Sequence, residues 1–331
     1  MHTPSPLVSV VIAAYNDAAH LAECLDALAR QDYGRDNYEV VVVDDGSTDE
    51  TSAVVRALSW VRYLYQENAG PSSARNLGVR KSKGGIIAFT DSDCVPEPGW
   101  LSALVAVFEE GDERLGAVGG PHIGHPDDAL FAREMDLFLH RIGWATGYIK
   151  GSPHPGKVGH VASCNAAYKR HVFLRAGGFR PGLFPGEDVD LDRRIRKIGY
   201  HIQFTPVARV LHHRPADKTA WRRMLRSYGE SSGNIIRLHG PFRLIHVLSP
   251  LLLGNLLLIL VLCLATPFAF WVISGEAIAF CLLCGYLSRP TLGFCRILRF
   301  TCETMVYYSL GYWTRLVCFR PMPLSKNLSE G

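Results

Sequence analysis

The sequence predicts an α/β fold with a mostly parallel sheet and helices on both faces, followed by a C-terminal α-helical membrane region. The first part depends on two observations: apolar runs rich in β-branched residues recur up to Asp91, and segments with helical periodicity separate them. The membrane region depends on a third observation, because no Asp, Glu, Lys or Arg occurs between Arg243 and Glu276.

The predicted strands and helices of the first part alternate at short intervals. Strands are predicted at 7–14, 38–43, 61–65 and 85–90, with helices after the first two strands and at 72–81. Such alternation requires crossover connections and therefore a largely parallel sheet. Ligands of these sheets bind beyond the carboxyl ends of the strands, so functional residues are expected there.

Composition limits the classes of function. The 331 residues, of which 48% are hydrophobic, suffice for one large domain with an appendage or for two domains. The net charge of +4 comes from the segment after Gly240, so the preceding part has no basic excess of the kind that indicates nucleic-acid binding. The nine cysteines are an odd number, which argues against a disulfide framework, and we interpret them as buried apolar side chains.

Three pairs of carboxylates lie near the expected ligand edge: Asp44–Asp45, Asp91–Asp93 and Glu187–Asp188. Each pair alone is also compatible with a helix cap or a solvated turn. Asp91 and Asp93 are two residues apart in an extended segment, which puts both carboxylates on one face. Hard oxygen ligands of this kind suit Mg²⁺ or Mn²⁺, and these ions also bind phosphate oxygens.

Six blocks of sequence occur in a characteristic order: VSVVIAAYN, VVVDDGSTD, NAGPSSARNLGV, IIAFTDSD, ASCNAAYKRHVFLRAGGF and GEDVDLDRRIRKIGY. In this order they resemble the inverting family 2 glycosyltransferases of the GT-A fold, from Val8 to Arg214. The resemblance implies transfer of a sugar from a nucleotide-diphosphate sugar to a hydroxyl acceptor, with Mg²⁺ or Mn²⁺ as cofactor. The QxxRW motif of processive relatives is missing, which favours single transfers.

The resemblance also implies a nucleotide-sugar site. The residues matched to it are Ala14, Tyr15, Asp44, Arg75, Asp91, Ser92 and Asn165. Ala14, Tyr15 and Asp44 correspond to the part that binds the base, and Arg75 corresponds to an arginine beside the nucleotide.

The resemblance also implies which residues bind the metal ion and which residue acts as the general base. Asp91 and Asp93 match the DxD pair of metal ligands, and His212, in preference to His213, matches a histidine that completes the metal site. Asp188 matches the general base and Glu187 its support; an inverting transfer needs one carboxylate to take the acceptor proton. His122, His125, His154 and His160 show no ligand spacing, and we expect no catalytic part for them.

The predicted domains are a catalytic domain at 1–215, a basic amphipathic interfacial helix at 216–242 and a membrane region at 243–331. The membrane region is predicted to contain a transmembrane hairpin, at about 245–265 and 268–288, and an interfacial tail. The interfacial helix is inferred from apolar residues at helical spacing among arginines, for which core packing is the alternative. With no secretory signal before the first strand, we expect the catalytic domain on the cytoplasmic side of the inner membrane, with a lipid-linked, glycan or other hydroxyl acceptor.

Two other functions are compatible with parts of the sequence. A sugar-phosphate nucleotidyltransferase would open with a Gly-rich phosphate loop containing Arg and Lys, whereas the first turn here reads AAYNDAAH. A catalytically inactive membrane scaffold would be expected to lose a carboxylate of the DxD or ED motif, and both motifs are intact.

Overall fold

The computed structural model describes residues 6–142, 154–240, 244–263, 278–280, 282–286, 292–318 and 322–324. Contacts divide the chain into two compact units. The sheet unit comprises Met1–His125, Gly151–His213 and Pro321–Gly331, and the helical unit comprises Pro126–Lys150 and Arg214–Arg320.

The described strands all belong to the sheet unit. In chain order they are β1 (Val8–Ala14), β2 (Tyr38–Asp44), β3 (Val61–Tyr65), β4 (Ile86–Thr90), β5 (Cys94–Pro96), β6 (Leu115–Gly119), β7 (His122–Gly124), β8 (Gly156–Val158), β9 (Asn165–Lys169), β10 (His201–Phe204) and β11 (Val210–His212). The main sheet has the order β3-β2-β1-β4-β9-β6-β10-β8, and a small second sheet has the order β5-β11-β7.

The main sheet is mostly parallel, which confirms the predicted α/β fold of the first part of the chain. Strands β1 to β4 run parallel to one another, and β6 runs parallel to β10, whereas β9 runs antiparallel between β4 and β6 and β8 runs antiparallel to β10. The four predicted strands agree with β1 to β4 to within one residue at each end. Their carboxyl ends consequently meet at one edge of the sheet.

The first seven helices are α1 (Ala18–Ala29), α2 (Thr51–Arg56), α3 (Pro71–Lys81), α4 (Trp100–Glu110), α5 (Leu130–Arg141), α6 (Arg170–Arg175) and α7 (Glu187–Lys197). All except α5 belong to the sheet unit. Val10 of β1 lies in a core cluster with residues of α1 and α4, whereas Val11 lies in a second cluster with residues of α6 and α7. Because successive strand residues point to opposite faces, the sheet is covered on both sides.

The helical unit contains α5, α8 (Lys218–His239), α9 (Leu244–Cys263), α10 (Phe294–Glu303) and α11 (Ser309–Val317), and residues 278–280 and 282–286 are helical as well. A π-helical turn at Thr304–Tyr308 joins α10 and α11. The Asp217 carboxylate caps α8 by accepting hydrogen bonds from the N–H groups of Thr219 and Ala220.

Helix α8 lies where the interfacial helix was predicted. Trp221 and Leu225 on its apolar face are fully buried, in a cluster with Phe138 of α5 and Phe300 of α10. These contacts correspond to the core-packing alternative for this face. Placement of the helix in a headgroup layer stays a prediction.

The predicted membrane region is described only in part. Helix α9 coincides with the first predicted segment, and most of the second segment, at about 268–288, lies outside the described residues. Among the described residues, no helix is both long enough and apolar enough to cross a membrane. The hairpin stays a prediction.

Candidate active site

The carboxyl ends of β1 and β2 lie side by side at the predicted ligand edge. Ala14 is the register partner of Asp44, and the Asp45 N–H donates to the Ala14 carbonyl at 2.9 Å. The Asp44 carboxylate is buried and accepts hydrogen bonds from the Ser47 N–H at 2.8 Å and the Tyr63 hydroxyl at 2.7 Å. Burial, together with this bond to Asp44, raises the pKa of Tyr63 to about 12, so Tyr63 remains a donor. Asp44 therefore organises the turn after β2.

The loops after β1 and β2 are also tied to each other. The Asn16 N–H donates to Ser47 Oγ at 3.0 Å, and Asn16 Oδ1 accepts from the Thr48 N–H at 2.8 Å. Next to these bonds in the chain, the Tyr15 side chain is 52% exposed. Its ring is therefore accessible to a ligand beside the strand ends.

Arg75 joins the two acidic motifs that the sequence singled out. Its side chain is buried in α3 and donates to Asp91 Oδ1 at 2.5 Å and to Glu187 Oε1 at 2.8 Å. Burial lowers the pKa of Arg75, but the charges of Asp91 and Glu187 outweigh that effect and raise it, so the guanidinium stays charged. Arg75 thus holds the end of β4 against the start of α7.

The ED motif occupies the first two residues of α7, after Gly186 with φ of 99°. Glu187 is 1% exposed and accepts a hydrogen bond from Ser163 Oγ at 2.8 Å in addition to that from Arg75. Asp188 is less buried; its Oδ2 accepts from the Ser163 N–H at 3.2 Å and its Oδ1 from the Val189 N–H at 2.7 Å. These amide donors fix the orientation of the Asp188 carboxylate.

The pairing of β5 with β11 in the second sheet brings Asp93 close to His212. His212 is the register partner of Cys94 in the antiparallel pair β5–β11, which brings His212 Nε2 to 3.4 Å from Asp93 Oδ2. Burial raises the pKa of Asp93, but the His212 imidazole outweighs this and brings the pKa down to about 2. Of the two candidate histidines, His212 is therefore the one placed beside the DxD motif, because the His213 ring contacts Glu23.

Two other predicted site residues are bonded within the protein. Ser92 donates to Asp17 Oδ2 at 2.7 Å. Asn165 is fully buried; its Oδ1 accepts from Trp100 Nε1 at 2.7 Å, and its Nδ2 donates to the carbonyls of Pro121 and Ala208, each at 2.8 Å. The described contacts of Asn165 join structural elements, and its predicted place beside the donor phosphate stays a prediction.

Sequence reasoning missed a histidine cluster in this part of the chain. His125 Nε2 and His213 Nε2 lie 3.4 Å and 3.0 Å from the two carboxylate oxygens of Glu23, and the two rings stack with centroids 4.1 Å apart. Glu23 comes from α1, and the histidines come from the ends of β7 and β11, so no short spacing in the sequence marks the cluster. Ser163 was missed too, although it lies in the ASCNAAYK block quoted above.

Comparison with known families matches this architecture. Residues 9–175 match the family model described as glycosyl transferase family 2. Glycosyltransferase AglE of Haloferax volcanii is 31% identical over 210 residues, 62% of this chain and 66% of that protein. The probable glycosyltransferase YdaM of Bacillus subtilis is 31% identical over 228 residues, 66% of this chain and 53% of that protein. The matches thus span less than two thirds of the length of either relative.

Solved structures show similar folds. The mannosyltransferase PcManGT from Pyrobaculum calidifontis, in complex with GDP-Man and Mn²⁺, is 25% identical with a TM-score of 0.63, over 95% of this chain and 88% of that one. GalNAc-T7 with UDP, GalNAc and Mn²⁺ is 19% identical with a TM-score of 0.50, over 68% of this chain and 48% of that one. The second likeness concerns the fold alone.

The burial of Glu187 predicts a pH-dependent stability. Burial and the neighbouring Asp188 raise the pKa of Glu187 from 4.5 to about 7, against the opposing effects of Arg75 and Ser163. The stabilisation is complete below about pH 4.5 and is lost as the pH rises through about 7, because between these values the unfolded chain has released a proton that the folded state still holds. We expect the free energy of unfolding of the wild type to fall, relative to Glu187→Gln, by on the order of 2–3 kcal/mol between pH 5 and pH 8.

Denaturant unfolding of both proteins at several pH values in this range measures the difference. Glu110→Gln, which changes an exposed carboxylate at the end of α4, serves as the control and is expected to follow the wild type. Parallel curves for wild type and Glu187→Gln would show that Glu187 is ionised over the whole range.

Proposed function

The chain belongs to glycosyl transferase family 2, whose model matches half of its length, and we propose that it transfers a sugar from a nucleotide-diphosphate sugar to a hydroxyl acceptor. We propose an inverting, non-processive reaction by direct displacement with a divalent metal ion and an aspartate base. The observation that carries the proposal is the Arg75 bridge, which brings the carboxylates of the DxD and ED motifs to one edge of the sheet. The GDP-Man and Mn²⁺ bound to PcManGT support a nucleotide sugar and a metal ion as ligands of this chain.

The nucleotide is proposed to bind at the ends of β1 and β2. Tyr15 offers an exposed ring on which a base can stack, and Asp44 holds the neighbouring turn through Ser47 and Tyr63. Both Asp44 oxygens are already hydrogen-bonded, so its contribution to base binding includes keeping this turn in shape.

The residues near Asp93 fit a divalent metal ion. Asp93 Oδ2 and His212 Nε2 are 3.4 Å apart, and the Asp93 side chain is 37% exposed, so an ion can reach both atoms. Asp91 Oδ1 accepts a hydrogen bond from Arg75, and Asp91 Oδ2 makes no hydrogen bond within the described residues. Asp93, His212 and Asp91 would hold Mg²⁺ or Mn²⁺, which would offset the charge that develops on the departing diphosphate.

Asp188 is proposed as the base that accepts the proton of the acceptor hydroxyl. Two backbone N–H groups orient its carboxylate, and its partial exposure gives an acceptor access to it. Glu187 is buried and bonded to Arg75 and Ser163, so it positions the helix start and Asp188 with it.

The acceptor and the location are further proposals. The uncharged segment after Arg243 supports a position at the cytoplasmic face of the inner membrane, with a lipid-linked or other membrane-borne acceptor. Glycans and other hydroxyl acceptors are the alternatives.

Metal dependence tests the role of the DxD motif. Donor turnover by the purified protein should require Mg²⁺ or Mn²⁺, and Asp93→Ala should abolish it because the ion loses its most direct ligand. Release of nucleoside diphosphate from a panel of nucleotide sugars measures turnover, and Asp26→Ala, an exposed change on α1, should leave it intact. Full activity in excess chelator would contradict the proposal.

Removal of the proposed base should separate catalysis from binding. Asp188→Asn keeps the shape of the side chain, and Asp188 is not the N-cap of α7, which is Gly186, so folding and nucleoside diphosphate binding should be retained. Transfer to the acceptor should fall roughly 10²- to 10⁴-fold. Wild-type transfer by Asp188→Asn together with an inactive Glu187→Gln would move the base one residue earlier, and loss of nucleotide binding would indicate a structural role.

Membrane insertion predicts resistance to extraction. The protein should sediment with membranes and stay there in high salt and in alkaline carbonate, because apolar insertion does not depend on charge. Immunoblotting of the membrane and supernatant fractions measures the extraction. Quantitative release of the protein by carbonate would instead indicate peripheral attachment.

A further inference from the structure

A pair of cysteines lies directly beside the proposed metal ligands. Cys94 follows Asp93 and is the register partner of His212 across β5 and β11, so the side chains of Cys94 and His212 lie on the same face of the second sheet. Cys164 comes from the main sheet: it precedes Asn165, which pairs with Thr90 at the end of β4. Two sheets therefore bring two thiols and one imidazole together next to the DxD motif.

The three side chains are close enough to share one ion. Cys94 Sγ, Cys164 Sγ and a ring nitrogen of His212 all lie within 4.8 Å of one another. In a tetrahedral zinc centre, with Zn–S of about 2.3 Å and Zn–N of about 2.0 Å, ligand atoms are about 3.3–3.8 Å apart. The distances between the three ligand atoms would have to shorten by about 1 Å or less to reach tetrahedral zinc geometry, and side-chain rotation can supply a change of this size.

Asp93 supplies a fourth ligand to the same place. Its Oδ1 is 3.8 Å from Cys94 Sγ, and its Oδ2 is 3.4 Å from His212 Nε2. The cysteines are buried, whereas His212 and Asp93 are 18% and 37% exposed, so an ion can enter from the side of the DxD motif.

We propose that Cys94, Cys164, His212 and Asp93 form a binding site for a soft divalent cation of the zinc class, which overlaps the proposed site of the hard cation at Asp93 and His212. Thiolate and imidazole ligands select zinc over Mg²⁺ and Mn²⁺, which prefer oxygen. Both cysteines are buried, as the sequence analysis expected, and the proposal adds a ligand role to their packing role.

The two sites share Asp93 and His212 and therefore exclude each other. An ion held by the thiols takes both residues away from the Mg²⁺ or Mn²⁺ of the proposed transfer reaction. Zinc is consequently an inhibitor that competes with the hard cation, and this regulatory part depends on the proposed function.

Co²⁺ binding to the purified full-length protein tests the site without activity. Cobalt bound to thiolates gives a charge-transfer absorption in the near ultraviolet, which Zn²⁺ should abolish by displacement. The nearby Glu23–His125–His213 cluster contains no sulfur and cannot produce this band. We expect the band in the wild type and a much weaker band in Cys94→Ala and in Cys164→Ala.

Cys24→Ala is the matched control. The Cys24 thiol is as buried as those of the cluster and contacts the Asp91 carbonyl at 3.5 Å, but it is not one of the converging ligands. Its variant should keep the full band. No band in the wild type, or an unchanged band in both cluster variants that have a wild-type circular dichroism spectrum, would overturn the assignment; Cys94→Ser and Cys164→Ser replace any alanine variant that does not fold.

Competition is measured separately as nucleoside diphosphate release at fixed Mn²⁺ and increasing Zn²⁺. Zinc should inhibit the wild type, more Mn²⁺ should relieve the inhibition, and Cys164→Ala should need at least about tenfold more zinc. Equal inhibition of wild type and variant would overturn the competition. If no donor is turned over at all, the proposed transfer reaction fails, while the cobalt spectra still decide whether the thiol site exists.

Discussion

The candidate site depends on one buried guanidinium. Arg75 is charged in the interior of the sheet unit, where Asp91 pairs with its charge and Glu187 accepts its second hydrogen bond. Its partners, Asp91 and Glu187, belong to different motifs, so the same two bonds that stabilise Arg75 also set the spacing between them. Loss of one partner from a buried pair typically costs about 3–5 kcal/mol, which makes the arrangement of the two motifs a condition of folding as well as of activity.

Two other carboxylates of this region are held by hydrogen bonds from backbone N–H groups. The Asp45 carboxylate accepts hydrogen bonds from the N–H groups of Ala69 and Gly70, which precede α3, the helix that carries Arg75. The Asp188 carboxylate accepts hydrogen bonds from the N–H groups of Ser163 and Val189. Main-chain donors of this kind have little freedom to move, so the fold itself holds the carboxylates of Asp45 and Asp188 in place.

The sequence sufficed to predict the parts of the site that are local or repeated. Strands β1 to β4 were predictable because buried parallel strands are continuous apolar runs, and Asp44, Asp91 and Asp93 followed because ligands bind at strand ends. The two partners of Arg75 were not predictable, since Glu187 is 112 residues away in the chain. Nor were the pairing of Cys94 with His212 and the stack of His125 on His213, because each depends on the register of the second sheet.

The direction of β9 determines which of its residues lie at the ligand edge of the main sheet. In the parallel strands around it, the ligand edge receives the residues that follow the strand, but β9 runs the opposite way and presents its beginning there. Ser163 and Cys164 therefore reach the edge from the segment that enters β9, and Lys169 ends at the far side. An insertion directly before β9 would therefore alter the ligand edge, whereas an insertion directly after Lys169 would lie at the opposite edge of the sheet.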